Sequence, residues 1–271
     1  TDRFSFSYYG LGNETKLTTD DFNFNRVRQS MISIHPAFKK PINALGDGFT
    51  IGPSYERTSI SQTPGRFIET DPIAESGEIF IDQAYGGIKT GLHILSLDNI
   101  QIPTKGSNLI LDAAWMTDLG EVERDFALLN ADFALYQKID RKGALIFATR
   151  FGASHRIGNY PFFHSAILGG RTNLRGFRAD RFYGNTSFFH NTDLRIRLLS
   201  SVNKILPFTM GVLGGFDYGR VWLDGQDSDR WHTGYGGALW IAPVDFIVLN
   251  VGYFLNNDDD NRFTFKIGFD F

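Results

Sequence analysis

The chain has 271 residues and a formal net charge of -3, with 42% hydrophobic and 21% charged residues, so it can bury a core and does not read as disordered or nucleic-acid-binding. It has no cysteine, which excludes a disulfide framework, thiolate metal ligands and a cysteine nucleophile. Phe is used heavily, at 26 residues, yet no apolar run reaches the roughly 18 residues of a helical membrane span; strands that alternate lipid-facing and lumen-facing residues would escape that test.

Alternation starts at once, in Thr1-Asp2-Arg3-Phe4-Ser5-Phe6, so no signal peptide is expected and the start reads as processed, trimmed or incomplete. Period-two patterning predicts about twelve strands, near 3–10, 23–36, 48–61, 84–97, 108–118, 125–137, 143–155, 186–199, 207–223, 231–241, 245–256 and 262–271. These lengths suit tilted membrane strands of about 9–11 residues. The last is the clearest: Phe263, Phe265, Ile267, Phe269 and Phe271 share one face, and Thr264, Lys266, Gly268 and Asp270 the other. Similarly, Leu194, Ile196 and Leu198 oppose Asn191, Asp193, Arg195 and Arg197.

The connections alternate as well. Those near 99–107, 138–142, 200–206 and 242–244 are short; those at 11–22, 62–83, 156–185, 224–230 and 257–261 are mostly longer and hold most of the acidic residues. Short periplasmic turns and long outer loops are the habit of outer-membrane barrels. An even strand number would then return both ends to the periplasmic side. A soluble sandwich also alternates, and would use Asp193, Arg195 and Arg197 as its wet face. No internal repeat supports a propeller. The expected fold is therefore an all-β, transmembrane, antiparallel up-and-down barrel of about twelve strands, a single domain over 1–271.

One loop breaks the acidic pattern. Residues 156–184 carry Arg156, Arg171, Arg175, Arg178 and Arg181 against Asp180 alone. Folded back into an acidic lumen such a loop would be attracted, and Gly169, Gly170 and Gly176 permit tight turns there. Within it, Leu168-Gly169-Gly170-Arg171-Thr172-Asn173-Leu174-Arg175-Gly176-Phe177 resembles the loop motif of the BamA/TamA superfamily, the bacterial surface antigen barrels. Gly184-Asn185 with Asn191-Thr192-Asp193-Leu194-Arg195, and Gly215-Phe216-Asp217-Tyr218-Gly219-Arg220-Val221-Trp222, resemble the following strands, Asp-x-Gly being a family hallmark. The motifs cover about residues 165–271. Tyr8-Tyr9-Gly10-Leu11-Gly12-Asn13-Glu14-Thr15 resembles Bacteroidetes-type members with less specificity.

The resemblance implies a Gram-negative outer-membrane barrel whose lumen loop, with Gly169, Gly170, Leu174, Arg175, Gly176 and Phe177, reaches Asp217 and Gly219, Arg175 pairing with Asp217. It implies Phe271 as a C-terminal insertion signal. The pattern has about seven strands before the loop where sixteen-stranded members have eleven, and POTRA domains are not seen. A short closed barrel is expected, the alternative being the C-terminal part of a sixteen-stranded one. The implied function is protein insertion or translocation, with outer-membrane lipid, unfolded outer-membrane protein clients and a second copy of the chain as candidate partners. The alternative is a pore or anchor, or the membrane module of a larger periplasmic protein.

No metal, cofactor or catalytic constellation is expected. The six His are scattered, and Ser154 and His155, adjacent on a strand, face opposite ways. Asp224, Asp227 and Asp229, and Asp258, Asp259 and Asp260, lack calcium-loop spacing and read as solvated loops. Tyr218, Trp222, Trp231 and Trp240 suit interfacial girdles.

Overall fold

A computed structural model describes residues 2–19, 21, 23–42, 47–120, 124–170, 172–201, 207–244, 247–258 and 261–271. The alternating segments form β1 (Asp2–Ser7), β2 (Arg26–Ile34), β3 (Phe38–Pro41), β4 (Gly48–Ser61), β5 (Gln83–Leu97), β6 (Gly106–Asp118), β7 (Asp125–Lys138), β8 (Leu145–Gly158), β9 (Ala166–Leu168), β10 (Phe182–Gly184), β11 (Thr186–Ser201), β12 (Phe208–Trp222), β13 (His232–Pro243), β14 (Leu249–Asn256) and β15 (Arg262–Ile267). Pairing runs β1-β2-β4-β5-β6-β7-β8-β11-β12-β13-β14-β15, an antiparallel meander. β9 and β10 stand apart as a hairpin inside the loop between β8 and β11.

β2 and β3 together fill one ladder position against β4. His35, Pro36 and Ala37 separate them, because Pro36 has no N–H to donate and its carbonyl sits where a Cβ on Gly52 would lie only 2.1 Å away. The strand expected over 23–36 is β2, and past Pro36 the wall continues as β3, a short piece that the alternation did not assign.

Strand faces follow the alternation. On β15, Phe263, Phe265 and Ile267 point outward and are exposed; on β11, Leu194, Ile196 and Leu198 do the same while Asp193 and Arg195 are buried. This is an apolar exterior around a polar interior, the reverse of a water-soluble sheet. The wall curls until β7 meets the chain's last residues: the Tyr136 and Phe271 rings lie 6.4 Å apart. Trp222 and Trp231 remain on the exterior with Tyr218, as an edge-on aromatic group at the long-loop end. Trp240 instead is buried, its Nε1 donating to the Val212 carbonyl at 3.3 Å, so it is a lumen residue and not part of a girdle.

Two ends depart from the expected strands. Residues 8–10 leave β1 and enter the barrel, where Tyr8 packs with Val27, Ile60, Ile68, Phe162 and Tyr183. Gly268, at φ +98°, ends β15 early, and Phe269 and Phe271 turn inward from the lipid-facing row to which the alternation assigned them. Phe269 packs edge-on against Trp240, and the Phe269 and Phe271 rings lie beneath the Arg195 guanidinium.

The short turns are tied by local acids. At the β5–β6 turn the Asp98 carboxylate accepts from the Thr104 N–H at 2.9 Å, the Lys105 N–H at 3.0 Å and the Thr104 hydroxyl, with Lys138 Nζ at 3.4 Å. Partial burial pushes this carboxyl up, and the Thr104, Lys105 and Lys138 contacts outweigh it, bringing it down to about 2. A carboxyl depressed on folding stabilises fully above its unfolded value near 3.8 and loses that contribution as pH falls through about 2. Asp98→Asn is thus expected to lower the urea midpoint at neutral pH, the deficit shrinking between pH 4 and 2. A pH-independent deficit would show that charge at Asp98 is not what ties the turn.

Candidate functional site

The loop between β8 and β11 occupies the lumen. Phe162–His164 forms a short 3-10 turn, β9 and β10 pair, and the tip between them folds on glycines in the left-handed region: Gly169 (φ +124°), Gly170 (+83°) and Gly176 (+91°). Gly169 also has no room for a Cβ, which would stand 2.4 Å from the Arg178 carbonyl. Asn173 holds the turn, its Oδ1 accepting from the Gly169 N–H at 2.8 Å and its Nδ2 donating to the Ile167 carbonyl at 3.1 Å. Leu174 and Phe177 are buried with Leu168, Phe182, Phe189 and Val221, pressing the loop on the inner wall of β11 and β12. Gly219 makes that approach feasible, since a Cβ there would sit 2.8 Å from the Phe188 carbonyl and 3.2 Å from Leu168 Cδ1.

Arg175 is 1% exposed and lies at the centre. Its Nε and Nη2 donate to the two Asp217 oxygens at 2.8 and 2.6 Å, and its backbone N–H donates to Asp217 Oδ2 at 2.9 Å. Its Nη1 donates to Asp193 Oδ1 at 2.7 Å and reaches Asp270 Oδ2 at 3.3 Å. The guanidinium also lies over the Phe254 ring, 4.6 Å from its centroid. One planar cation therefore answers one carboxylate bidentately and two more singly, which an ammonium could not do.

The network is extended to near neutrality. Arg195 holds the other Asp193 oxygen, with Nη2 at 3.1 Å, and donates to the Phe271 carbonyl at 2.7 Å; Lys266 holds Asp270 Oδ1 at 3.1 Å. Gly215 stands beside Asp193 in the register, and the guanidinium fits because that position has no Cβ: one would be 2.7 Å from Arg175 Nη2.

Further ties fix the rest of the loop. Arg150, bidentate to Asp132 through Nε, donates from Nη1 to the Thr172 carbonyl at 2.8 Å. Asn191 Nδ2 donates to the Asn173 carbonyl at 2.9 Å, and Asn256 Nδ2 to the Gly176 carbonyl at 2.7 Å. Arg181 donates to Thr15 Oγ1 and its carbonyl at 2.7 and 2.8 Å.

The segment after β1 makes a second crossing of the lumen. Gly12 N–H donates to the Tyr183 carbonyl at 2.7 Å; Asn13, 1% exposed, donates to Ser228 Oγ and the Arg230 carbonyl, both at 2.9 Å, and accepts from Val221 N–H at 3.0 Å. His232 Nε2 lies 3.0 Å from the Asn13 carbonyl, and its ring stacks on Phe182 at 3.8 Å. β1 and β15 are not joined by a ladder among the described residues. Ser7 and Tyr9 face residues 262–265 across a cleft of 480 Å³, closed on the lumen side by residues 176–179 of the loop.

The alternation places Asp193 and Arg195 on the polar face of their strand but assigns them no partner, and it gives no role to Asp270, Asn256 or Asn13. For Asp193 the available signal was its inward position two residues from Arg195 on β11; for Asn13 there was none beyond the Tyr8–Thr15 resemblance. Arg171 lies outside the described residues, as do Asp259 and Asp260. Asp258 is held by Arg230 and His232, and no group of metal-ligating residues occurs among the described residues.

Residues 3–271 match the Omp85 superfamily domain. The fold is similar to that of the crystal structure of BamA from Haemophilus ducreyi lacking POTRA domains 1-3, with a TM-score of 0.66 and 15% identity over 89% of this chain. The chain spans about half of that structure, 53% of its length. No curated protein matches the chain.

Proposed function

Because the chain belongs to the Omp85 superfamily, barrels of the bacterial outer membrane of the insertion and translocation type, we propose that it takes unfolded outer-membrane protein clients at the seam between β1 and β15 and passes them into or across the membrane. The observation that supports this reading is that among the described residues no ladder runs between the two end strands, which face each other across a cleft. A sheet edge is a template for an added strand. Surrounding lipid is the medium into which such a strand would be released.

The alternative, a pore or membrane anchor, fits less well with a lumen occupied by both the Arg175 loop and residues 8–13. The proposed role is not enzymatic. His155, facing outward, has its Nδ1 2.7 Å from Thr186 Oγ1, and Ser154, on the opposite face of the same strand, is out of its reach as a nucleophile.

A tether across the seam tests the reading. The chain has no cysteine, so Ser7→Cys with Thr264→Cys, two positions on the same cleft, can be joined by a short reducible thiol crosslinker. In vesicles given a small urea-denatured barrel protein, the tethered form is expected to lose most of its acceleration of client folding and to regain it on reduction. Full acceleration by quantitatively tethered protein would remove the seam from the mechanism.

A further inference from the structure

The outward face of a membrane strand should be apolar, and on β2 and β4 it is so only in part. Along β2 the inward Val27 and Gln29 are buried, while the outward positions read Arg26, Arg28 and Ser30 before turning apolar at Ile32 and Ile34. β4 repeats the order from its other end, with Ser61, Ser59 and Arg57 outward before Tyr55, Pro53 and Ile51. The register aligns the two runs: Arg28 pairs with Ser61 on one side and Ser5 on the other, and Ser30 pairs with Ser59. The polar ends adjoin the long loops at 8–25 and 62–82, so they lie at the outer-leaflet end of the barrel.

These side chains line a groove of 740 Å³ on the exterior wall. Arg57 is engaged by Asp82 at 2.6 Å. Arg26 and Arg28 have no ion pair among the described residues, and Arg26 Nε is buried without a hydrogen-bond partner. A guanidinium facing hydrocarbon is unfavourable, and one at headgroup depth is stabilised by an anion. Across the barrel, the long-loop end carries the aromatic group of Tyr218, Trp222 and Trp231 instead.

We propose that this groove binds the phosphate of a phosphorylated glycolipid headgroup in the outer leaflet. The vertical order of the groove matches such a molecule. Guanidinium forks suit a phosphate, the serine hydroxyls suit a sugar ring, and the apolar row beneath suits acyl chains. Being on the wall that ends at β1, the bound lipid would border the seam.

The test is native mass spectrometry of the full chain in detergent, titrated separately with bis-phosphorylated lipid A, the same lipid stripped of phosphate, and inorganic phosphate. Wild type is expected to bind the phosphorylated lipid at least about tenfold more tightly than the stripped one, and R26Q/R28Q to lose that preference. R28Q alone, at an exposed position, is expected to lose part of it and guards against misfolding of the double variant, which compact migration without boiling also checks. R141Q/K142Q, the same charge loss at the opposite end, is expected to bind as wild type does. Equal binding of both lipids, undiminished binding by R26Q/R28Q, or an equal loss in R141Q/K142Q would overturn the proposal. Displacement by equimolar inorganic phosphate would reassign the groove to a free ion.

Discussion

Arg175→Ala is expected to cost about 3–5 kcal/mol and to free the loop from the lumen. The size follows from what would be left behind. Asp193 and Asp217, both 0% exposed, would face each other with Arg195 as the remaining cation beside Asp193, and Asp217 would lose both guanidinium donors and keep only the backbone N–H of residue 175. Removing one partner of a buried pair is far worse than never having built it, because the remaining charge stays desolvated. Arg175→Lys should fall between, since a point charge cannot occupy the forked positions of Asp217 and still reach Asp193. The urea midpoint of the compact form measures the first effect. Planar bilayer recordings measure the second, with more frequent and larger openings expected. An unchanged midpoint and unchanged conductance together would show that the clamp does not hold the loop.

Gly234→Ala is the second large effect, and it tests loop docking from the wall. A Cβ at Gly234 would stand 2.1 Å from the Arg175 carbonyl, and that oxygen belongs to backbone already fixed by the Asp217 contact. Relief requires moving the loop or the strand, and overpacking of this kind costs about 1–3 kcal/mol. Gly214 is the control on the neighbouring strand: nothing lies within 4 Å of a Cβ there, so Gly214→Ala is expected to be neutral or to gain about 0.5 kcal/mol from reduced backbone freedom. Equal midpoints for the two variants would mean that the loop does not press on β13.

Most of the wall was legible because membrane strands obey one rule, apolar outside and polar inside; Asp193–Ile196 of β11 follows it residue by residue, and β4 follows it only in its lower half. Legibility failed where a residue left the sheet. Gly268 breaks the alternation of 262–271 through its backbone, while the side-chain pattern continues undisturbed to Phe271. Past Pro36 the short β3 carries no alternation long enough to mark it. The lumen loop announced itself by excess arginine, and its partners only in part. Asp217 came with a family motif, whereas Asp270 follows Gly268 and could be placed only once the strand's end was known. The polar contacts of Asn13 reach a hairpin more than 200 residues away, and no local pattern encodes such a distance.

The clamp on Arg175 also sets an order of events. Asp217 lies 42 residues beyond it, Asp270 lies 95 beyond it, and Arg195 waits 76 residues for the Phe271 carbonyl. Contacts of such separation close late, after the intervening hairpins have already paid their loop entropy. The barrel can therefore be nearly complete in its hydrogen-bonded wall while its interior is still unlocked, and residues 268–271, by folding inward, act as the bolt that secures the loop only once β14 and β15 have paired.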